Sequence, residues 1–207
     1  MKEKNKSVLI EKLAHKFLDR FQILGLLPFA FFIARLFELK QKGAAQDIFW
    51  VCHFSNLTLA IGILFFLPTV IRASLYWLVC GLPLWVWWLI QAGTTDITSA
   101  FTHIGGLIIG FIALAKVRVT GNIWLHAFSG FILLQQYCRW FTPEKLNINM
   151  SQNLYVEGVY VGGEKFFNVY WQYWLGTLLI IAFNLWLIER ILMKVFPENQ
   201  NQVEEMN

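Results

Sequence analysis

Apolar and polar positions in this chain fall into long blocks rather than alternating. Six apolar runs, at residues 21–37, 48–71, 74–91, 97–115, 119–140 and 166–188, are separated by polar connectors. At about 1.5 Å rise per residue, a helix of about 20 residues crosses the roughly 30 Å hydrocarbon core of a bilayer. The pattern therefore predicts an all-α membrane protein, with six transmembrane helices in one bundle. The first run is the weakest, because Arg20 and Arg35 leave only fourteen uncharged residues between them. Arg35 is expected to snorkel toward the headgroups. Pro68 is expected to bend the second span near its end. The short link 92–96 makes the third and fourth spans antiparallel neighbours. The spacing of Gly106 and Gly110 predicts a face where another helix packs closely.

Outside these runs, residues 1–20 place Val8, Leu9, Leu13 and Phe17 at helical spacing, with Lys12, Lys16 and Arg20 on the other side. That pattern predicts an interfacial amphipathic helix. The membrane domain spans 21–196, and 197–207 is a polar tail. The one long loop, 141–165, contains VEGVYVGGE, whose turn residues and brief alternation predict a small hairpin or lid.

Composition agrees with the block pattern. The chain is 57% apolar and only 14% charged, against about 25% charged in soluble chains. Its net charge of +4 is not gathered into a water-facing stripe, which excludes a nucleic-acid partner. The basic residues report topology instead: eleven Lys and Arg lie on the side that holds both ends of the chain, against six on the other. Both termini are expected to be cytoplasmic, in the cell membrane. No short apolar run precedes Arg20, so no cleaved signal peptide is expected. The three cysteines lie in or beside apolar runs and do not form an extracellular disulfide framework. Cys80 reads as a small buried hydrophobe.

Polar side chains inside the apolar runs are the chemically informative ones, because lipid offers them no water. The second run carries Cys52, His53, Ser55 and Asn56 near its first turns, and the fourth carries Thr102 and His103. At helical rise, Cys52 and His53 fall about 6 to 8 Å, and His103 about 9 Å, in from the outer ends of their spans. Gln91, Gln135, Arg139, Gln172 and Tyr173 also belong to outer ends. Polar groups from five helices are thus predicted to converge at one depth beneath the long loop, with His126 left out near the inner end of its helix.

A thiol and imidazoles at one depth suit covalent acyl transfer on a lipid ester. The thiolate attacks the acyl carbon, and an imidazole takes the thiol proton and later delivers one to the leaving group. Cys52 is the expected nucleophile, His103 or His53 the base, and Asn56 or Gln135 the oxyanion donor. Gln91, Thr102, Arg139, Gln172 and Tyr173 are the expected substrate contacts, with membrane lipids as substrates. The residues leave other readings open. His53 and His103 could bind haem or a small molecule in a non-catalytic protein, or hold zinc with a carboxylate such as Asp96, or simply bond across helices. No CxxCH, HExxH or i, i+4 histidine pair is present, so no cofactor is expected. A transporter would carry deep charges or an internal repeat, and neither is found.

Three stretches, VCHFSNLTL, THIGGLIIGFIAL and WLHAFSGFILLQQYCRW followed by EKLNINMSQN, resemble the YwaF-like bacterial membrane proteins and their transmembrane protein 164 relatives. More remotely they resemble the androgen-induced-gene family of lipid esterases. The resemblance covers about residues 47–175 and implies a six-helix membrane fold with a Cys and a His as catalytic pair. On this chain the pair falls on Cys52, beside His53, and on His103. The resemblance also implies that Asn147 and Asn149 line the site. Where the relatives have a proline before the Cys-His pair, this chain has Val51.

Overall fold

The computed structural model describes residues 20–93, 95–152, 155–156, 159–160 and 170–197. The expected amphipathic helix and nearly all of the polar tail lie outside the described residues. Six main helices form: α1 (Leu26–Gln41), α2 (Val51–Leu64), α3 (Pro68–Ala92), α4 (Ile97–Val117), α5 (Ile123–Phe141) and α6 (Tyr170–Val195). A turn of helix at 20–23 precedes α1, and a 3-10 turn, Ala45–Phe49, leads into α2. In the long loop, β1 (Tyr155–Val156) pairs antiparallel with β2 (Val159–Tyr160), so the expected hairpin is present.

Among the described residues, four helices are long and apolar enough to cross a membrane: Arg20–Gln41, Pro68–Ala92, Ile97–Val117 and Trp171–Val195. This is fewer than the six expected, for two reasons. The apolar run 48–71 is not one helix. The α2 helix stops at Leu64, Phe66 takes φ 49°, and Pro68 opens α3 at a first-turn position, where its missing N–H costs nothing. Pro68 therefore starts the next helix instead of bending the previous one. At 14 residues, α2 is only about 21 Å long. The α5 helix has 19 residues, but His126, Ser129, Gln135, Gln136 and Arg139 dilute its apolar content.

The packing is inside-out relative to a soluble bundle. On α4, Ile97, Phe101, Ile104, Ile108 and Ile112 form an exposed stripe at helical spacing, while Ser55, Asn56, Thr102 and Gln135 are fully buried. An apolar stripe that size facing outward marks a membrane surface. The core is centred on α3, whose Leu75, Tyr76 and Trp77 pack with Leu114 of α4, Ala127 and Phe131 of α5 and Leu178 and Leu185 of α6. Gly106 and Gly110 do form a close-packing face: a Cβ at Gly106 would stand 2.3 Å from Asn56 Oδ1 on α2, and one at Gly110 would stand 2.8 Å from Leu75 Cδ1 on α3.

Helix ends inside such a bundle need partners for their unpaired backbone groups. Arg72 of α3 supplies them at the end of α4, donating from Nε to Arg118 O at 2.6 Å and from Nη2 to Val117 O. Glu189 of α6, buried, accepts from Asn122 N at 3.1 Å and Trp124 N at 2.9 Å at the start of α5. Together these two side chains fix the α4–α5 turn at the end of the bundle opposite the cysteine-histidine pair.

Candidate active site

The α2 helix begins at Val51, which puts Cys52 and His53 in its first turn. From α4 comes His103, six residues along from Ile97. Residues Phe101–Gly105 of α4 form a π-turn, and such single wide turns shift the register of the side chains they carry. The Cys52 sulfur and one ring nitrogen from each of His53 and His103 lie within 4.8 Å of one another.

A shell of hydrogen bonds fixes both imidazoles. His103 Nδ1 is 2.8 Å from Ser99 O, a carbonyl that only accepts, so this nitrogen carries the proton. Thr102 Oγ1 donates to the same carbonyl at 2.9 Å. With its only proton used there, it accepts from His53 Nδ1 at 3.3 Å. Both rings thus carry their proton on Nδ1, leaving Nε2 a lone pair. The two rings meet edge to face at 5.3 Å between centroids. Trp85 of α3 stacks on His103 at 4.6 Å and 12° while its Nε1 donates to Ser99 Oγ at 3.1 Å. Asn56 spends both amide protons on backbone carbonyls, Cys52 O at 3.1 Å and Thr102 O at 2.8 Å, which ties α2 to α4 directly below the site.

Several expected contacts lie elsewhere. Gln135 is buried, but its Nε2 donates to Asn149 O at 3.1 Å and its Oε1 accepts from Trp174 Nε1 at 2.8 Å. Asn56, with both amide protons on backbone carbonyls, is not placed as an oxyanion donor. Asn149 is buried beside the first residue of α2. It holds the start of α2, accepting from Val51 N at 2.8 Å and donating to Phe49 O at 2.8 Å. Asn147 is buried in the same loop and accepts from Gln152 N at 2.9 Å. Both asparagines have positive φ, a conformation Asn adopts more readily than most residues. Gln91 is exposed at the end of α3, Arg139 is half-buried on α5, and Gln172 and Tyr173 belong to the first turn of α6, Tyr173 buried. His126 is exposed at the opposite end, as expected. Cys80 is half-buried against the main core.

Arg35 does not snorkel. It is buried, and its Nη1 donates to Glu38 at 3.0 Å, Asp96 at 3.2 Å and Thr98 at 3.4 Å. Asp96 is held by Arg35 and by Lys42 at 2.7 Å, so it is not the carboxylate of a histidine metal site. Haem does not suit the histidines either, because rings in direct edge-to-face contact leave no gap for a porphyrin between them. Sequence reasoning missed Ser99 and the inward role of Trp85. The first had a usable signal, since Ser99 stands four residues before His103, one helical turn away.

Fold and site together define a multi-pass, mainly helical membrane protein with a thiol and two oriented imidazoles gathered at one end of the bundle. No family model, no curated protein and no solved structure matches the chain.

Proposed function

We propose that this protein is a membrane-embedded, thiol-dependent lipid acyltransferase or lipid hydrolase of the YwaF-like kind. In this reading six helices lie in the cell membrane, with both termini cytoplasmic and the site near the outer face. The observation that carries it is the approach of the Cys52 sulfur to the nitrogens of His53 and His103 within 4.8 Å, from two separate helices. The orientation of both rings supports it, since protons parked on Nδ1 leave Nε2 able to act as a base.

The chemistry runs in two steps. Cys52 sulfur attacks the ester carbon of a glycerolipid as an imidazole Nε2, assigned to His103, takes the thiol proton. The tetrahedral intermediate collapses, the lipid hydroxyl leaves with that proton, and an acyl thioester remains on Cys52. A hydroxyl acceptor, or water, then gives its proton to the same imidazole, attacks the thioester and regenerates the thiol. His53, Thr102, Ser99, Trp85 and Asn56 orient the pair.

Purified protein incubated with a phospholipid carrying a labelled acyl chain is expected to acquire label that hydroxylamine removes. Cys52→Ala should lose that label completely while eluting as a folded species, and His103→Ala should slow its formation by at least about 100-fold, the lower range for general acid–base catalysis. Full lipid turnover by both variants would overturn the assignment.

A further inference from the structure

The same three side chains make a site for a thiophilic d10 metal ion. Resting on the thiol reading above, we infer that Cys52, His53 and His103 bind Zn2+ and that occupancy silences the nucleophile. Zinc takes sulfur and imidazole nitrogen as ligands, commonly three from protein with a fourth position open. One thiolate and two neutral imidazoles match that set in number and type.

Each histidine already has the partner that zinc-binding histidines use. A carbonyl, Ser99 O, fixes the proton of His103, and a hydroxyl, Thr102 Oγ1, fixes that of His53. Bonds of this kind set the tautomer and orient the ligating nitrogen. In a tetrahedral centre the ligand atoms stand about 3.5 Å apart, given bonds of about 2.3 Å to sulfur and about 2.0 Å to nitrogen. The trio lies within 4.8 Å, so a contraction of about 1 Å brings it to that spacing. The Arg35 charge nearby is offset by Glu38 and Asp96, both in contact with it.

Binding is a simple exchange: the Cys52 S–H bond breaks, a Zn–S bond forms, and one proton leaves to solvent for each ion bound. The sulfur lone pair and both imidazole lone pairs are then engaged, so nucleophile and base are lost together. Zinc supply would thus set the fraction of enzyme able to form the thioester.

Co2+ tests the site without reference to activity. Protein in detergent, reduced and stripped with a chelator, should bind one Co2+ with a thiolate-to-metal charge-transfer band and intense visible bands of tetrahedral cobalt, displaced by one equivalent of Zn2+. Cys52→Ser should remove the charge-transfer band, His53→Ala should weaken binding at least tenfold, and Cys80→Ser should change nothing. Zn2+ should also block hydroxylamine-sensitive acyl labelling, with chelator restoring it. Octahedral, weak-absorbing cobalt, or a charge-transfer band that survives Cys52→Ser, would overturn the site; labelling that Zn2+ stimulates would overturn the silencing. Protein that binds cobalt as described yet forms no thioester would instead remove the acyl-transfer reading and leave the metal site standing.

Discussion

Thr102 has one hydroxyl proton and contacts on both imidazoles. Its bond to Ser99 O decides how His53 is held, because the oxygen can then only accept from that ring. Thr102→Val keeps the volume and removes the hydroxyl. Losing one buried hydrogen bond, and leaving His53 Nδ1–H unpaired, should cost about 1–3 kcal/mol of stability. His53 would also be free to turn over to its other tautomer. Acyl labelling should slow about 10- to 100-fold, the range seen when the orienting partner of a functional histidine is removed at metal sites. Rate and thermal midpoint measured on the same preparation separate the two effects: a variant that loses stability but labels at the wild-type rate would mean that Thr102 only packs. The pairing of Cys52, His53 and His103 was legible in sequence because both helices carry polar residues at matching depth, and depth follows from counting along a helix. The partners of Asn56 and Gln135 were not legible, because depth says nothing about rotation or partners. Asn56 spends both amide protons on backbone carbonyls, whereas Gln135 donates to Asn149 O and accepts from Trp174 Nε1.

At the scale of elements, α2 and α4 approach closely at Gly106. Gly106 leaves room for the Asn56 side chain, and a methyl group there would sit 2.3 Å from Asn56 Oδ1. Gly106→Ala must push away the residue that bonds Cys52 O and Thr102 O. It should destabilise by about 1–3 kcal/mol, as overpacked cores do, and reduce acyl labelling with it. Gly121→Ala is the matched control, since nothing lies within 4 Å of its added carbon, and its midpoint should stay at the wild-type value. At the rim, Asp96 ties α4 to α1. Its hydrogen bond from Lys42, with further contacts to Glu38 and Arg35, holds the carboxyl below the usual range. A carboxyl with a lowered value stabilises the fold fully above its unfolded pKa of about 3.9, and loses that contribution as pH falls through the folded value. Wild-type midpoints should therefore drop below about pH 4 more steeply than those of Asp96→Asn, and equal slopes would show that the ion pairs contribute nothing. The pair is half open to solvent, so the difference at neutral pH should stay under about 1 kcal/mol. None of this tie was readable beforehand. Arg35 looked like a snorkelling charge because sequence shows how near a residue lies to a span's end, not which way it points. The α2–α3 break was hidden for a related reason, as the apolar block runs unbroken through Leu67 and Pro68.

For the whole molecule, the quantity to measure is how many times the chain crosses. By length and apolar content alone, four helices qualify among the described residues, yet the packing treats all six as neighbours in one bundle. Of the residues of α2, Ile61 is a large apolar side chain left exposed, while His53, Ser55, Asn56, Leu59, Ala60, Gly62 and Ile63 are buried. A helix largely wrapped by α1, α3 and α4 meets little lipid, so it need not match the bilayer's full thickness. The Lys42 to Asp96 contact puts the α1–α2 and α3–α4 connectors at the same end. Six crossings then put 43, 95 and 145 on one side of the membrane and 66 and 121 on the other. Single cysteines at Gly43, Thr95, Lys145, Phe66 and Gly121, read with a membrane-impermeant maleimide on intact cells, test each crossing separately. The first three should label from outside, and the last two only after the membrane is opened. Labelling of Phe66→Cys from outside would leave α2 re-entrant and reduce the count. Exclusive labelling of Gly121→Cys from outside would invert the molecule and move the Cys52 site to the cytoplasmic face.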